Sequence, residues 1–156
     1  MVIQRWQSVM LLLTFALMTC FCIFSLGQVQ TEQYTYNFTS VGFSIEGDPT
    51  GGAPAGYQVY TWFLFIVSVM SAIIPLISIF LYRNLRLQKQ MCLIDVLFLL
   101  AVICIAGLEG YTEFPGYPVS WSSLALAPFL GLILVVVAWR LINKDHKLLQ
   151  SVDRIR

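Results

Sequence analysis

The side chain with the clearest capacity for chemistry is Asp95, the one ionisable residue inside an otherwise apolar stretch. An acid within such a stretch is a candidate for proton relay or cation coordination. It lies six residues past Lys89, which by helical rise is roughly 9 Å inward. From there a carboxylate can reach water, a nearby arginine or the free amides of a helix's first turn. The expectation is therefore a local cap, with cation coordination as the alternative. No other apolar stretch supplies an acid or a histidine at depth to complete a relay.

Cys20, Cys22 and Cys104 form the second candidate set. Residues two apart on a helix point to nearly opposite sides, so Cys20 and Cys22 are badly placed to pair. The loops carry no cysteine that could serve as a second redox pair. Buried cysteine used as a small apolar residue is the expectation. His146 is the only histidine and cannot make a metal site alone. Neither an acid–base nor a nucleophile–base pair stands out, so no catalytic residue, cofactor site or metal site is assigned.

Ser68, Ser71, Pro75 and Ser78 recur on one face of a single apolar stretch. Ala16 and Cys20, and Ala127 and Gly131, are spaced by four. Small residues at this spacing let helix backbones approach closely in lipid, and all three faces are expected to serve packing.

These residues sit in a chain of 156 residues that is 58% hydrophobic and 11% charged, with a formal net charge of +1. A soluble domain this poor in charge would expose large apolar patches. The near-neutral balance also argues against a nucleic-acid partner, which requires a concentrated basic surface. Four apolar segments separate, at 6–26, 60–82, 91–108 and 121–142. The first has no charge and is about 31 Å long as a helix, the thickness of a bilayer core. Its apolar run is longer than that of a signal peptide and no small-x-small cleavage site closes it, so a retained helix is expected. The fold class expected is all-α: a polytopic bundle of four transmembrane helices.

Charge supplies an orientation. Arg5 precedes the first segment; Arg83, Arg86 and Lys89 fill the link between the second and third; Arg140 sits at the end of the fourth, and Lys144, Lys147, Arg154 and Arg156 follow it. The two other loops hold no basic residue but carry Glu32, Glu46, Asp48, Glu109 and Glu113. The positive-inside rule puts the basic clusters, and hence both termini, in the cytoplasm. Arg83, Arg86, Lys89, Lys144, Lys147, Arg154 and Arg156 are expected to meet lipid headgroups or a partner. All four tryptophans fall at segment ends, where an amphipathic ring prefers the headgroup region.

The outer loop, 27–59, is the one sizeable polar segment. Tyr34, Tyr36 and Phe38 alternate with polar residues, as do Val41, Phe43 and Ile45, which predicts a small β-hairpin around Thr39-Ser40. A lone hairpin is marginal and must pack on something. Residues 48–54, rich in Pro and Gly, read as a linker. Asn37-Phe38-Thr39 matches a glycosylation sequon, a triplet common by chance. The tail, 143–156, is expected to continue the fourth helix, with Leu148, Leu149, Val152 and Ile155 on one apolar stripe and basic residues elsewhere.

Both ends of the chain carry a pattern. Ile3-Gln4-Arg5 with Gln7-Ser8 opens it; Arg140, Lys144-Asp145-His146-Lys147-Leu148 and Ser151-Val152-Asp153-Arg154-Ile155-Arg156 close it; Tyr82-Arg83-Asn84-Leu85-Arg86-Leu87-Gln88 lies between. In order and position these resemble the family of small four-helix membrane proteins from Bacteroidota called domain of unknown function 4293. The resemblance implies a bacterial inner-membrane location and brings no activity. Joined to the residues above, the expectation is a non-enzymatic accessory or scaffold subunit of an inner-membrane complex. Its partners would be the bilayer and a second membrane protein or further copies of the chain. The alternative is a small oligomeric transporter or channel that uses Asp95.

Overall fold

A computed structural model describes residues 2–32, 34–45, 56–82 and 84–153. Helix α1 covers Val2–Ile23, α2 Trp62–Phe80, α3 Leu85–Thr112 and α4 Ala127–Asp153, the last preceded by a 3-10 turn at Ser123–Leu126. All four are long and apolar enough to cross a membrane. Each packs on its chain neighbours and α4 closes onto α1, so the helices form a square with α1 opposite α3.

The core follows from which face each helix turns inward. Leu11, Met18 and Phe21 of α1, Leu64 and Ile74 of α2, Leu99 and Val102 of α3, and Val135, Ala138 and Ile142 of α4 are buried. The opposite faces expose Leu12, Leu13, Phe63, Ile66, Leu97, Phe129 and Ile133. Apolar side chains inside and outside alike are what a bundle in lipid requires, since lipid imposes no polar outer face. Gly131 lets α4 approach closely, because a Cβ there would lie 3.4 Å from Thr14 Cγ2 and 3.5 Å from Leu99 Cδ2. The Ala127/Gly131 face is thus a packing face. The Ala16/Cys20 face is not: both residues are exposed, so within this chain it packs nothing.

One end of the bundle carries an antiparallel sheet of five strands: β1 Gly27–Gln30, β2 Thr35–Phe38, β3 Gly42–Ile45, β4 Gly56–Tyr60 and β5 Val119–Trp121, in the order β4-β3-β2-β1-β5. The expected hairpin is its centre, with Phe38 opposite Phe43 and Tyr36 opposite Ile45. Thr39 closes the turn, its hydroxyl donating to the Gly42 carbonyl at 2.8 Å. A two-stranded hairpin alone is marginal, and flanking strands supply what it lacks. β1 pairs with β2 and, on its other side, with β5 from the second loop, placing Gly27 opposite Trp121. β4 pairs with β3 across an irregularity at Phe43/Ser44.

The sheet is anchored to the helices. The Ser40 hydroxyl donates to the Cys22 carbonyl at 2.8 Å, and the Thr61 hydroxyl to the Ser40 carbonyl at 3.1 Å. The Ser122 amide bonds the Leu26 carbonyl at 2.8 Å. Gly42, at a φ of 153°, lies so close to β4 that an added Cβ would collide with the Val59 carbonyl oxygen.

Every helix differs from its expected bounds by two or more residues at each end, and α3 runs on to Thr112, which puts Glu109 in the helix and not in a loop. Tyr60 and Trp121 lie in strands rather than helices, because pairing with β3 and β1 claims their backbone groups. The third helix starts at Leu85 instead of 91, extending the basic link into helix. The fourth continues through the tail to Asp153, as expected. The linker at 48–54 and the acids Glu46 and Asp48 lie outside the described residues.

Candidate functional site

α2 and α3 run antiparallel and are joined by a short link, 81–84, so positions equally far from that link are level with each other. Ser71 is nine residues before the end of α2 at Phe80, and Asp95 is ten residues after the start of α3 at Leu85. By helical rise both lie about 14–15 Å from the link, halfway along α2 and about a third of the way along α3.

Asp95 is fully buried, at 0% exposure. It is not a cap. With α3 starting at Leu85, the carboxyl lies in the third turn, beyond the free first-turn amides. The extra turns come from residues 85–90, whose charges hid their helical state in the sequence.

Neither carboxyl oxygen of Asp95 has a hydrogen-bond partner. The Ser71 hydroxyl is close enough to interact with the carboxyl, yet the pair does not reach hydrogen-bond geometry. Ser68 and Ser71 are also fully buried, and their hydroxyls are likewise unpartnered. This sets them apart from other hydroxyls on the helices. Thr14 bonds the Met10 carbonyl at 3.0 Å, Thr19 the Phe15 carbonyl at 2.8 Å and Ser78 the Ile74 carbonyl at 2.9 Å. Such back-bonding to the preceding turn is the usual way for a helical hydroxyl to be satisfied.

Pro75, also buried, adds an acceptor. It has no amide hydrogen for the carbonyl four residues earlier, which is that of Ser71. The seam between α2 and α3 therefore sets the Asp95 carboxyl beside the Ser71 hydroxyl, with the unpartnered Ser68 hydroxyl three residues back on α2 and the Ser71 carbonyl lacking its usual helical donor. The serine face, expected to serve packing, is a polar seam opposite the acid.

The basic end closes differently. The Gln7 side-chain amide donates to Asp145 Oδ2 at 2.7 Å, tying α1 to α4. Lys89 Nζ donates to Asn143 Oδ1 at 3.0 Å and lies 5.6 Å from the centre of the Trp139 ring. Lys89, expected to reach headgroups, is thus turned onto α4. Arg86, Arg140 and Lys144 are exposed. Arg83, Arg154 and Arg156 lie outside the described residues, as does the side chain of Lys147.

The cysteines do not pair: all four are free thiols. Cys20 and Cys104 are exposed on the outer face of the bundle, not buried as expected; only Cys92 is fully buried. Among the described residues no cluster of three or more His, Cys, Asp or Glu side chains could hold a metal. At the sheet end, an apolar cavity of about 570 Å³ lies between Phe21, Ala106, Trp121, Leu126 and Phe129. It contains no charged group, so the α2–α3 seam is the stronger candidate site.

No curated protein matches the chain. A family model described as Domain of unknown function (DUF4293) matches residues 3–155, nearly the full length, and includes both the terminal motifs and the α2–α3 link. The chain is a member of that family.

Proposed function

We propose that this chain is a non-enzymatic multi-pass protein of the bacterial inner membrane that handles a small cation through Asp95, as a small oligomeric transporter or channel. One observation carries the reading: a carboxyl fully buried inside the bundle, level with the middle of α2, with both oxygens lacking a hydrogen bond. An acid at that depth in a membrane is costly, and it persists where it serves an ion or proton. The local-cap account, which favoured a purely structural subunit, loses its basis once Asp95 is out of reach of the first-turn amides. The non-enzymatic part of the proposal rests on the sequence, in which no catalytic constellation stands out.

Flux in reconstituted vesicles tests the proposal. The wild-type chain is expected to carry alkali-cation or proton flux above empty vesicles, and Asp95→Asn at matched protein levels to fall to background. Equal flux in the two proteins, or none in either, would sink it.

The accessory or scaffold reading is second and has its own support. The sheet ends in two edge strands, β4 and β5, neither paired on its outer side within the described residues. Open edges are templates for pairing with another chain. A stoichiometric partner retained in mild detergent, with no flux, would favour this reading.

Orientation is part of the proposal. The positive-inside rule places the basic end, with both termini, in the cytoplasm and the sheet on the opposite side. Reporter fusions after Arg156 and in the α2–α3 link are expected to read cytoplasmic, and one near Gly51 periplasmic. A reversed reading at any of the three refutes the arrangement.

A further inference from the structure

We propose that the α2–α3 seam is a binding site for one monovalent alkali cation, coordinated by the Asp95 carboxylate, the Ser71 hydroxyl and the Ser71 carbonyl released by Pro75, with the Ser68 hydroxyl one turn beyond. This rests on the cation-handling reading above and names the ion class and its ligands.

Three observations converge on the seam. The first is the carboxyl itself: fully buried, with two unpartnered oxygens. A carboxylate in that setting requires a compensating charge, because leaving a buried charge unpaired costs several kcal/mol. Among the described residues no cation bonds it: Arg86, Arg140 and Lys144 are exposed, and Lys89 is engaged by Asn143 and Trp139 at the basic end.

The second is the pair of serines. Helical hydroxyls at Thr14, Thr19 and Ser78 take the preceding turn's carbonyl, whereas Ser68 and Ser71 do not. They stand i and i+3 on the buried face of α2, and Ser71 lies beside Asp95 of α3. Their oxygens remain available as neutral ligands.

The third is Pro75. A carbonyl freed inside a bilayer must be satisfied by a neighbour, and a cation does this well. Interrupted helices of membrane transporters use released carbonyls in this way.

The charge balance selects the ion class. One carboxylate cancels one positive charge. A calcium site gathers more oxygens and usually more than one carboxylate, whereas α2 carries no acid and the next acid on α3, Glu109, is fourteen residues from Asp95. A proton would let Asp95 donate to the freed carbonyl and accept from the Ser71 hydroxyl, but it would leave the Ser68 hydroxyl without a partner. An alkali cation engages them together.

The test is the thermal stability of the full chain in mild detergent, in sodium or potassium chloride against choline chloride at equal ionic strength. At least one alkali salt is expected to raise the wild-type Tm by about 5 °C at saturation, following a hyperbolic dose curve. Asp95→Asn should lose that dependence. Ser71→Ala, which keeps the acid, should need about tenfold more cation for the same shift. No alkali-specific shift in the wild type overturns the site, and so does a shift that survives in Asp95→Asn. Should Asp95→Asn not fold, the wild-type comparison with choline and the Ser71→Ala curve decide. Failures separate cleanly: an alkali shift without vesicle flux leaves the site and sinks the transport reading. Flux that needs Asp95 but shows no alkali shift leaves transport and overturns the site in favour of a proton.

Discussion

In choline buffer, with no alkali cation present, Asp95→Asn is expected to melt above the wild type. The direction follows from the surroundings of the carboxyl. In the wild type the group is buried, level with Ser71, and neither oxygen accepts a hydrogen bond. Unmade hydrogen bonds on a buried polar group cost about 1–3 kcal/mol, and more if the group is charged. Asparagine has the same shape but carries no charge and brings two donors. Its amide can donate to the carbonyl that Pro75 releases and accept from the Ser71 hydroxyl. A gain of about 1–3 kcal/mol corresponds to several degrees in a chain of this size. In saturating alkali salt the order should reverse, because only the wild type binds the ion. Curves that cross with salt are specific to a site whose empty state is strained. If Asp95 instead held a stable hydrogen bond to Ser71, Asp95→Asn would melt below the wild type in choline and stay below it in every salt.

Phe38→Ala is expected to remove the sheet from its seat, at a cost of about 3–5 kcal/mol, the usual range for deleting a fully buried phenylalanine. Phe38 has no exposed surface. Its ring stacks on Phe43 at 4.5 Å between centroids, 10° from parallel, and meets the Trp121 ring edge-on at 5.9 Å. Phe43 in turn meets Phe114 at 5.1 Å. One side chain thereby links β2, β3 and β5 to the loop after α3. Its own backbone carbonyl accepts from the Leu26 amide at 2.7 Å, where α1 gives way to β1. Limited proteolysis from the sheet side offers a direct readout. Cleavage between β1 and β4 should accelerate strongly in Phe38→Ala while the helices remain protected. Unchanged cleavage would mean that the two edge strands hold the sheet without this aromatic cluster.

The two variants also separate the two halves of the molecule. Asp95 lies far from the sheet along α3, and Phe38 touches none of the seam residues. Their effects on Tm should therefore add, as expected of sites without shared neighbours. A sizeable departure from additivity would show that the sheet and the seam communicate through α3.

What the sequence determined by itself was whatever depends on runs of neighbouring residues. The four apolar stretches mark the four helices, since a helix satisfies its own backbone and its length follows from local composition. The hairpin at Thr39-Ser40 was legible because alternation over nine or ten residues records which side faces inward. Membership of the family was legible from short motifs at both ends.

The tertiary structure decided what distant residues do to one another. β1 and β4 are no shorter than β2 and β3, but β4 runs straight into α2 and its end reads as part of that apolar run, while β5 joins the sheet only because the turns of the bundle bring both loops to one end. The helical state of residues 85–90 was hidden because charged residues interrupt the apolar run, although charge at a helix end costs little. That hidden extension changed the meaning of Asp95. Counted from the apolar boundary it is a cap; counted from Leu85 it is a buried acid level with Ser71. Likewise Ser68, Ser71 and Pro75 look like a packing face in isolation, since small residues suit close approach whatever stands opposite. Only the antiparallel packing of α2 on α3 places an unpaired carboxyl beside Ser71, and that juxtaposition turns a stripe of small residues into a candidate ion site.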